Sequence, residues 1–178
     1  MQDMPDKGEV PDMLEAKLWA NPCPFTFRVN YLALLYNTPL YSWVNEQYGL
    51  TRPEYVVLYS LALANGGSAR DVSSTSGFPK NTLSRAINRL EKMGLIKARS
   101  KARGGRRRQA LHLSDEGWAL MDETRPAFEA QEKRMLKVLT QGERLMLFEI
   151  LSKVVMDAQE WAGDLPPEAG AKKKGTKQ

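Results

Sequence analysis

Along most of this chain the apolar residues recur at helical spacing, and only one stretch breaks the pattern. Leu32, Leu35, Tyr36, Trp43 and Val44 fall on one stripe, which predicts a long helix over 18–48, bent near Pro39 and ended by Gly49. Thr51 followed by Pro53 is a helix-start signal for a second helix to about Ala64, stopped by Gly66 and Gly67. Ser68 caps a short helix through about Ser76, closed by Gly77. From Pro79 to about Met93, Leu83, Ile87 and Leu90 share one face of a further helix. After Gly94, Ile96–Ser100 and Gln109–Leu113 read as two short strands turned at Gly104 and Gly105. Ser114 caps a helix to about Leu139, with Pro126 as a kink or a break. A last amphipathic helix carries Leu145, Phe148, Leu151, Val155 and Ala158, to about Trp161. The ends differ: residues 1–17 are polar, acidic and hold Pro5 and Pro11, and 163–178 are rich in Lys, Gly and Ala. Both are expected to lack fixed structure.

Charge changes the picture in one place. Residues 80–108 carry eleven Lys and Arg against Glu91 alone, a local +10 in a chain of net +5, so the rest sums to −5. A basic block on an acidic body is the electrostatic footprint of a polyanion binder. At 100° per residue, Asn81, Arg85, Asn88 and Lys92 lie opposite the apolar face of the Pro79–Met93 helix, with Arg89 at its flank. Arg bonds guanine bidentately and Asn bonds adenine, so this face suits base edges and phosphates together. Lys80, Thr82 and Ser84 complete the candidate contact set on that helix. Arg103, Arg106, Arg107 and Arg108 flank the glycine tip of the hairpin, where a narrow loop enters a minor groove and its focused negative potential.

Helix, helix, short helix, basic helix, hairpin is the order of a winged helix-turn-helix, a module that reads double-stranded DNA. The expected fold is mainly α, with a two-stranded wing and an all-helical dimerisation part. Residues 50–114 form the DNA-binding domain, and 18–48 and 115–162 supply dimerisation helices, because the outer helices carry more apolar surface than so small a module covers. A two-fold dimer sets two basic helices in successive major grooves, about 34–36 Å apart.

The chain resembles the MarR-type winged-helix transcription regulators. The resemblance rests on Leu50, Thr51, Pro53 and Tyr55, on Thr82 to Arg85 (Thr-Leu-Ser-Arg), on Leu90 to Ile96 (Leu-Glu-Lys-Met-Gly-Leu-Ile), on Arg106 and Arg107, and on Leu113, Ser114 and Gly117. It covers 50–117, with weaker helical agreement over 25–161. It implies a dimer on a pseudo-palindromic operator, acting more often as a repressor, with Pro79–Met93 as recognition helix and Arg106 or Arg107 as the minor-groove arginine. The family's wing commonly has an Asp before the Arg pair, where this chain has Gly105; a more electrostatic wing follows. Ser73, Ser74 and Ser76 stand where the family usually has Ala and Leu, which implies looser packing or hydroxyls facing phosphate.

Relatives often bind small aromatic ligands between the dimer helices and the DNA-binding lobe. Ten of the 15 aromatic residues fall between Trp19 and Tyr59, and all six tyrosines lie from Tyr31 to Tyr59. These suit a core and dimer interface. The functional alternative is a pocket of Tyr31, Tyr36, Tyr55 and Tyr59, with Arg28 or His112 meeting a carboxylate or phenol. Some relatives sense hydroperoxides through a Cys in the first long helix. Cys23 sits about one turn before that position, between Pro22 and Pro24, and reads first as an inert thiol.

One Cys and one His leave no disulfide and no structural zinc site, and no cofactor motif is present. No run of about 20 apolar residues or secretory signal occurs, so a cytoplasmic, non-membrane protein is expected. No phosphate-cradling glycine loop or nucleophile set supports an enzyme. The competing class is an architectural or RNA-binding winged helix with little sequence choice.

Overall fold

The computed structural model describes residues 12–103 and 106–163, without the side chains of 100–103, 106–108 and 159. The expectations for 1–11, for the Gly104–Gly105 turn and for the tail from 164 lie outside the described residues. The described residues form two compact units, one up to Lys133 and one from Arg134.

The first unit opens on α1 (Met13–Trp19), which replaces the unstructured segment expected up to residue 17. Asp12 caps it by accepting from the Leu14 N–H, and Glu15 adds an acidic group to its first turn. Nor is 18–48 one helix. The chain breaks at 20–23 and restarts as α2 (Pro24–Tyr48), because Pro22 and Pro24 lack the N–H that a continuous helix needs and Pro24 suits a first helical position. Pro39 is accommodated inside α2.

Next come α3 (Arg52–Leu63), α4 (Ala69–Ser76) and α5 (Lys80–Lys92), which start and stop where the capping residues predict. The Thr51 N–H donates to Glu54 Oε2 at 2.7 Å, and the Ser68 N–H to Asp71 Oδ2 at 2.8 Å. In α4 the hydroxyls of Ser74 and Thr75 donate to the Asp71 carbonyl, and Ser76 Oγ accepts from the Phe78 N–H, so these groups serve local backbone. Leu83, Ala86, Ile87 and Leu90 of α5 are buried with Val57, Leu58 and Leu61 of α3 and with Leu50, Ile96 and Leu111.

The wing is longer than expected. β1 (Ile96–Arg103) and β2 (Arg106–Leu113) pair antiparallel from Ile96↔Leu113 out to Arg103↔Arg106. At its base the hairpin is clamped by the α3–α4 loop. Gly66 N donates to the Leu111 carbonyl at 2.9 Å, Leu111 N donates to Gly67 O at 3.0 Å, and Leu113 N donates to Asn65 Oδ1 at 3.1 Å. Gly66 has φ +92°, and a Cβ there would stand 3.0 Å from His112 Cε1, so His112 packs on this loop. The helix α6 (Asp115–Met135) follows; the Gly117 N–H donates to Ser114 Oγ at 3.0 Å, Pro126 lies within the helix, and Thr124 and Phe128 are buried. It stops four residues before Leu139, in turns where Lys137 N bonds Arg134 O and Leu139 N bonds Leu136 O, three residues back.

The second unit contains α7 (Gln141–Met156) and the short α8 (Ala158–Trp161). Thr140 and Glu143 form a capping box, and its hydrogen bonds hold the Glu143 carboxyl below its ordinary range. The single helix to Trp161 is interrupted at Asp157, whose carbonyl accepts from Glu160 N in a tight turn. Nor is α7 apolar on one stripe only. Leu145, Phe148 and Val155 of that stripe are exposed, but so are Met146, Ile150, Val154 and Met156, so apolar groups run round the helix. No described helix is long and apolar enough to cross a membrane.

Candidate functional site

The outer face of α5 follows from its inner one. With Leu83, Ala86, Ile87 and Leu90 buried, the 3.6-residue period turns Asn81, Ser84, Arg85, Asn88 and Lys92 outward, and all five are exposed, as is Lys80. Among the described residues, none of these side chains makes a hydrogen bond or an ion pair within the fold. Thr82 is half-buried. Arg89 is different. It donates to both Glu54 carboxylate oxygens at 2.9 Å and to the Gly49 carbonyl at 3.1 Å. Glu54 is buried, so this guanidinium neutralises a carboxylate that would otherwise be desolvated alone, and it ties α5 to the start of α3. The wing arginines Arg103, Arg106, Arg107 and Arg108 occupy the outer rungs of the hairpin backbone; their side chains lie outside the description.

Behind this face lies an aromatic cluster. Tyr55 is buried and stacks on Phe128 with ring centroids 4.8 Å apart, while Tyr41 meets both rings edge-on, at 6.0 and 5.9 Å. The Tyr55 hydroxyl bonds Thr124 Oγ1 at 2.8 Å, and the Tyr36 hydroxyl donates to the Phe128 carbonyl at 3.2 Å. The Arg52 guanidinium sits over the Tyr41 ring at 5.2 Å and the Phe78 ring at 5.7 Å. Phe78 directly precedes Pro79, the N-cap of α5, so the cluster is continuous with the start of that helix.

Burial pushes the Tyr55 phenol up to about 12; for Tyr36 burial and then the Glu132 carboxylate do the same. In the unfolded chain both return to about 10. Above that pH the unfolded state sheds protons that the folded state keeps, so the stability these phenols give is whole below pH ~10 and is lost as pH rises towards ~12. Urea midpoints across that window should fall less steeply in Tyr36→Phe/Tyr55→Phe than in the parent; identical slopes would remove these phenols from the account.

Two clefts open from the first unit near this cluster. One, of about 370 Å³, is lined by Tyr36, Tyr59, Trp118, Met121, Arg125, Phe128 and Glu132 among others. A wider groove of about 690 Å³ runs along α2 past Asn37, Tyr41 and Asn45 to Thr51 and Arg52.

Residues 48–108 match the family model for the MarR family. Over that stretch the module is similar to a MarR-family winged helix. Solved structures agree over more of the chain. A MarR family transcriptional regulator from Silicibacter pomeroyi is 23% identical, with 87% of this chain and 100% of that one covered and a TM-score of 0.70. A MarR family protein from Mycobacterium tuberculosis in complex with salicylic acid is 22% identical over 76% of this chain and 98% of its own, with a TM-score of 0.59. The PcaV transcriptional regulator from Streptomyces coelicolor, in complex with its natural ligand, is 23% identical over 79% and 96%, with a TM-score of 0.59. At these identities the likeness carries the fold. No curated protein matches the chain.

Of the expected pocket residues, the structure brings Tyr36 and Tyr59 together on one cleft, with Tyr55 buried behind Phe128. Tyr31 stacks on Phe27 at 5.4 Å, beside α1. Arg28 donates to the Pro24 carbonyl and lies 5.0 Å from the Trp19 ring centroid, and His112 sits at the wing base. Cys23 is exposed, ahead of α2. Sequence reasoning passed over Trp118, Met121, Arg125, Phe128 and Glu132. Their spacing of three, four, three and four places them on one face of α6, and that stripe was the available signal. Among the described residues no group of His, Cys, Asp and Glu could hold a metal ion.

Proposed function

We propose that this chain is a sequence-specific DNA-binding transcription regulator. It binds a pseudo-palindromic operator as a homodimer, represses by occupying it, and is released by a small aromatic ligand. The observation that carries the reading is the outer face of α5, with Asn81, Arg85, Asn88 and Lys92 exposed and unengaged beside a two-stranded wing. Side chains that serve no purpose in the fold, on a helix fixed by an ion pair to the buried Glu54, suit a partner with phosphates and base edges. In this role α5 reads the major groove and Arg106 or Arg107 enters the minor groove, while Arg89 holds the helix in place.

Dimerisation by α2 and α7 is supported by the apolar side chains that each leaves exposed: Phe25, Leu32, Leu34 and Leu35 on the first, and Leu145, Met146, Phe148 and Ile150 on the second. Ligand release is supported by the cleft at Tyr36 and Tyr59, whose wall residue Phe128 is continuous with the cluster reaching Phe78. The relatives solved with salicylic acid and with a natural ligand point the same way. A non-covalent ligand is preferred to peroxide sensing, since Cys23 is not among the residues lining that cleft.

The test is a binding comparison between a selected operator and random DNA. Arg85→Ala or Asn88→Ala should cost about 1–3 kcal/mol on the operator and relax specificity there. Arg106→Ala with Arg107→Ala should weaken both DNAs and flatten the salt dependence. A specific-to-random ratio far below about 10³ would favour an architectural role.

A further inference from the structure

We infer that the cleft walled by Tyr36, Tyr59, Trp118 and Phe128 takes an organic cation, an aromatic amine or quaternary ammonium, in preference to an aromatic acid. This inference rests on the effector reading above and narrows its chemical class.

Its first ground is the aromatic wall. Four rings line one cleft of about 370 Å³, and ring faces attract ammonium groups. The second is the state of the polar groups around it. Arg125, one of the two cations on the lining, already faces two carboxylates: its Nη2 lies 3.1 Å from Asp122 Oδ1 and its Nε 3.6 Å from Glu129 Oε1. Tyr36 spends its single hydroxyl proton on the Phe128 carbonyl, so its oxygen is left as an acceptor. Glu132 has no cationic partner within 4 Å among the described residues, and its charge is felt at the Tyr36 phenol. The cleft therefore offers acceptors, aromatic rings and a carboxylate without a cation within 4 Å among the described residues. The opposing feature is Lys133, an exposed ammonium on the same lining. It is next to Glu132 in sequence, and it is the group an acid would have to use.

The experiment is calorimetric titration of the full chain with 2-naphthylmethyltrimethylammonium and with 2-naphthoate, which share a ring system and differ in charge. The cation should bind about tenfold more tightly. Glu132→Gln should erase that preference, and Lys133→Gln should leave it intact. Both positions are exposed, so neither change endangers the fold. Tighter binding of naphthoate, binding of neither probe, or an unchanged preference in Glu132→Gln overturns the inference. Operator affinity, measured with and without the cation, separates this outcome from the wider reading. A cation that binds in a Glu132-dependent way yet leaves DNA affinity unmoved supports the ligand class and counts against release. A chain that binds no operator refutes the regulator reading whatever the cleft holds.

Discussion

Phe128→Ala should lower the stability of the protein by about 3–5 kcal/mol. The ring is 8% exposed and meets three tyrosines: it stacks on Tyr55 at 4.8 Å and presents its edge or face to Tyr41 at 5.9 Å and Tyr36 at 6.4 Å. Truncation would leave a ring-sized void between α2, α3 and α6 and would strand Tyr55, whose hydroxyl is fixed on Thr124 and cannot follow the void inward. Urea denaturation measures the loss; a cost under about 1 kcal/mol would mean the cluster relaxes freely and is not a structural keystone. Phe128→Leu, which keeps most of the volume, should cost far less. The variant also bears on the support of α5. Tyr41 lies under Arg52 and Arg52 lies over Phe78, so loosening the cluster removes support from the residue that leads into α5.

Gly117→Ala should cost about 3 kcal/mol, although it adds one methyl to a helix. A Cβ at this position would stand 2.2 Å from the Leu95 carbonyl oxygen and 3.2 Å from Leu113 Cδ2. The carbonyl cannot simply step aside, because it accepts the Ser114 N–H at 3.0 Å, at the start of α6. Gly142→Ala is the matched control. It has nothing within 4 Å of the added carbon and lies in the first turn of α7, so it should be neutral or stabilising by up to about 1 kcal/mol. Thermal melts of the two variants should move in opposite directions, or Gly117 alone should move. Equal melts would show that the contact between α6 and the Leu95 backbone is not tight.

Gly117 also shows how much of the fold was legible beforehand. It stood in the sequence as the end of a short motif, Leu113, Ser114, Gly117, and its reason emerges only with the backbone of Leu95 against it. Elements announced by local chemistry were readable: Thr51 with Glu54, Ser68 with Asp71, Gly77 and Thr140 mark boundaries through groups within three or four residues. The break ahead of α2 was signalled by Pro22 and Pro24 but yielded to a helical stripe further along. What stayed hidden depends on contacts distant in sequence. Arg89 reads as one more basic residue until Glu54, 35 residues away, occupies it. The tyrosines read as one group, yet Tyr31 and Tyr36 are five residues apart, about 140° round a helix, and cannot share a wall. The cleft needed α6 as its other side, and only its outline, a run of Tyr residues, showed in the sequence.

The clamp at the base of the wing has a consequence in leverage. Leu111 is fixed by Gly66 and Gly67 on one side, opposite Ala98 on the other, while the hairpin runs five further rungs to Arg103↔Arg106. At about 3.3 Å per residue, that is a cantilever of about 17 Å with its anchorage on the α3–α4 loop. A tilt of about 5° at the root carries the tip through about 1.5 Å, half the length of a hydrogen bond. The reach of the wing is thus set by strand length, and its aim by two backbone bonds and one Asn65 side-chain bond at residues 65–67, five rungs from the tip.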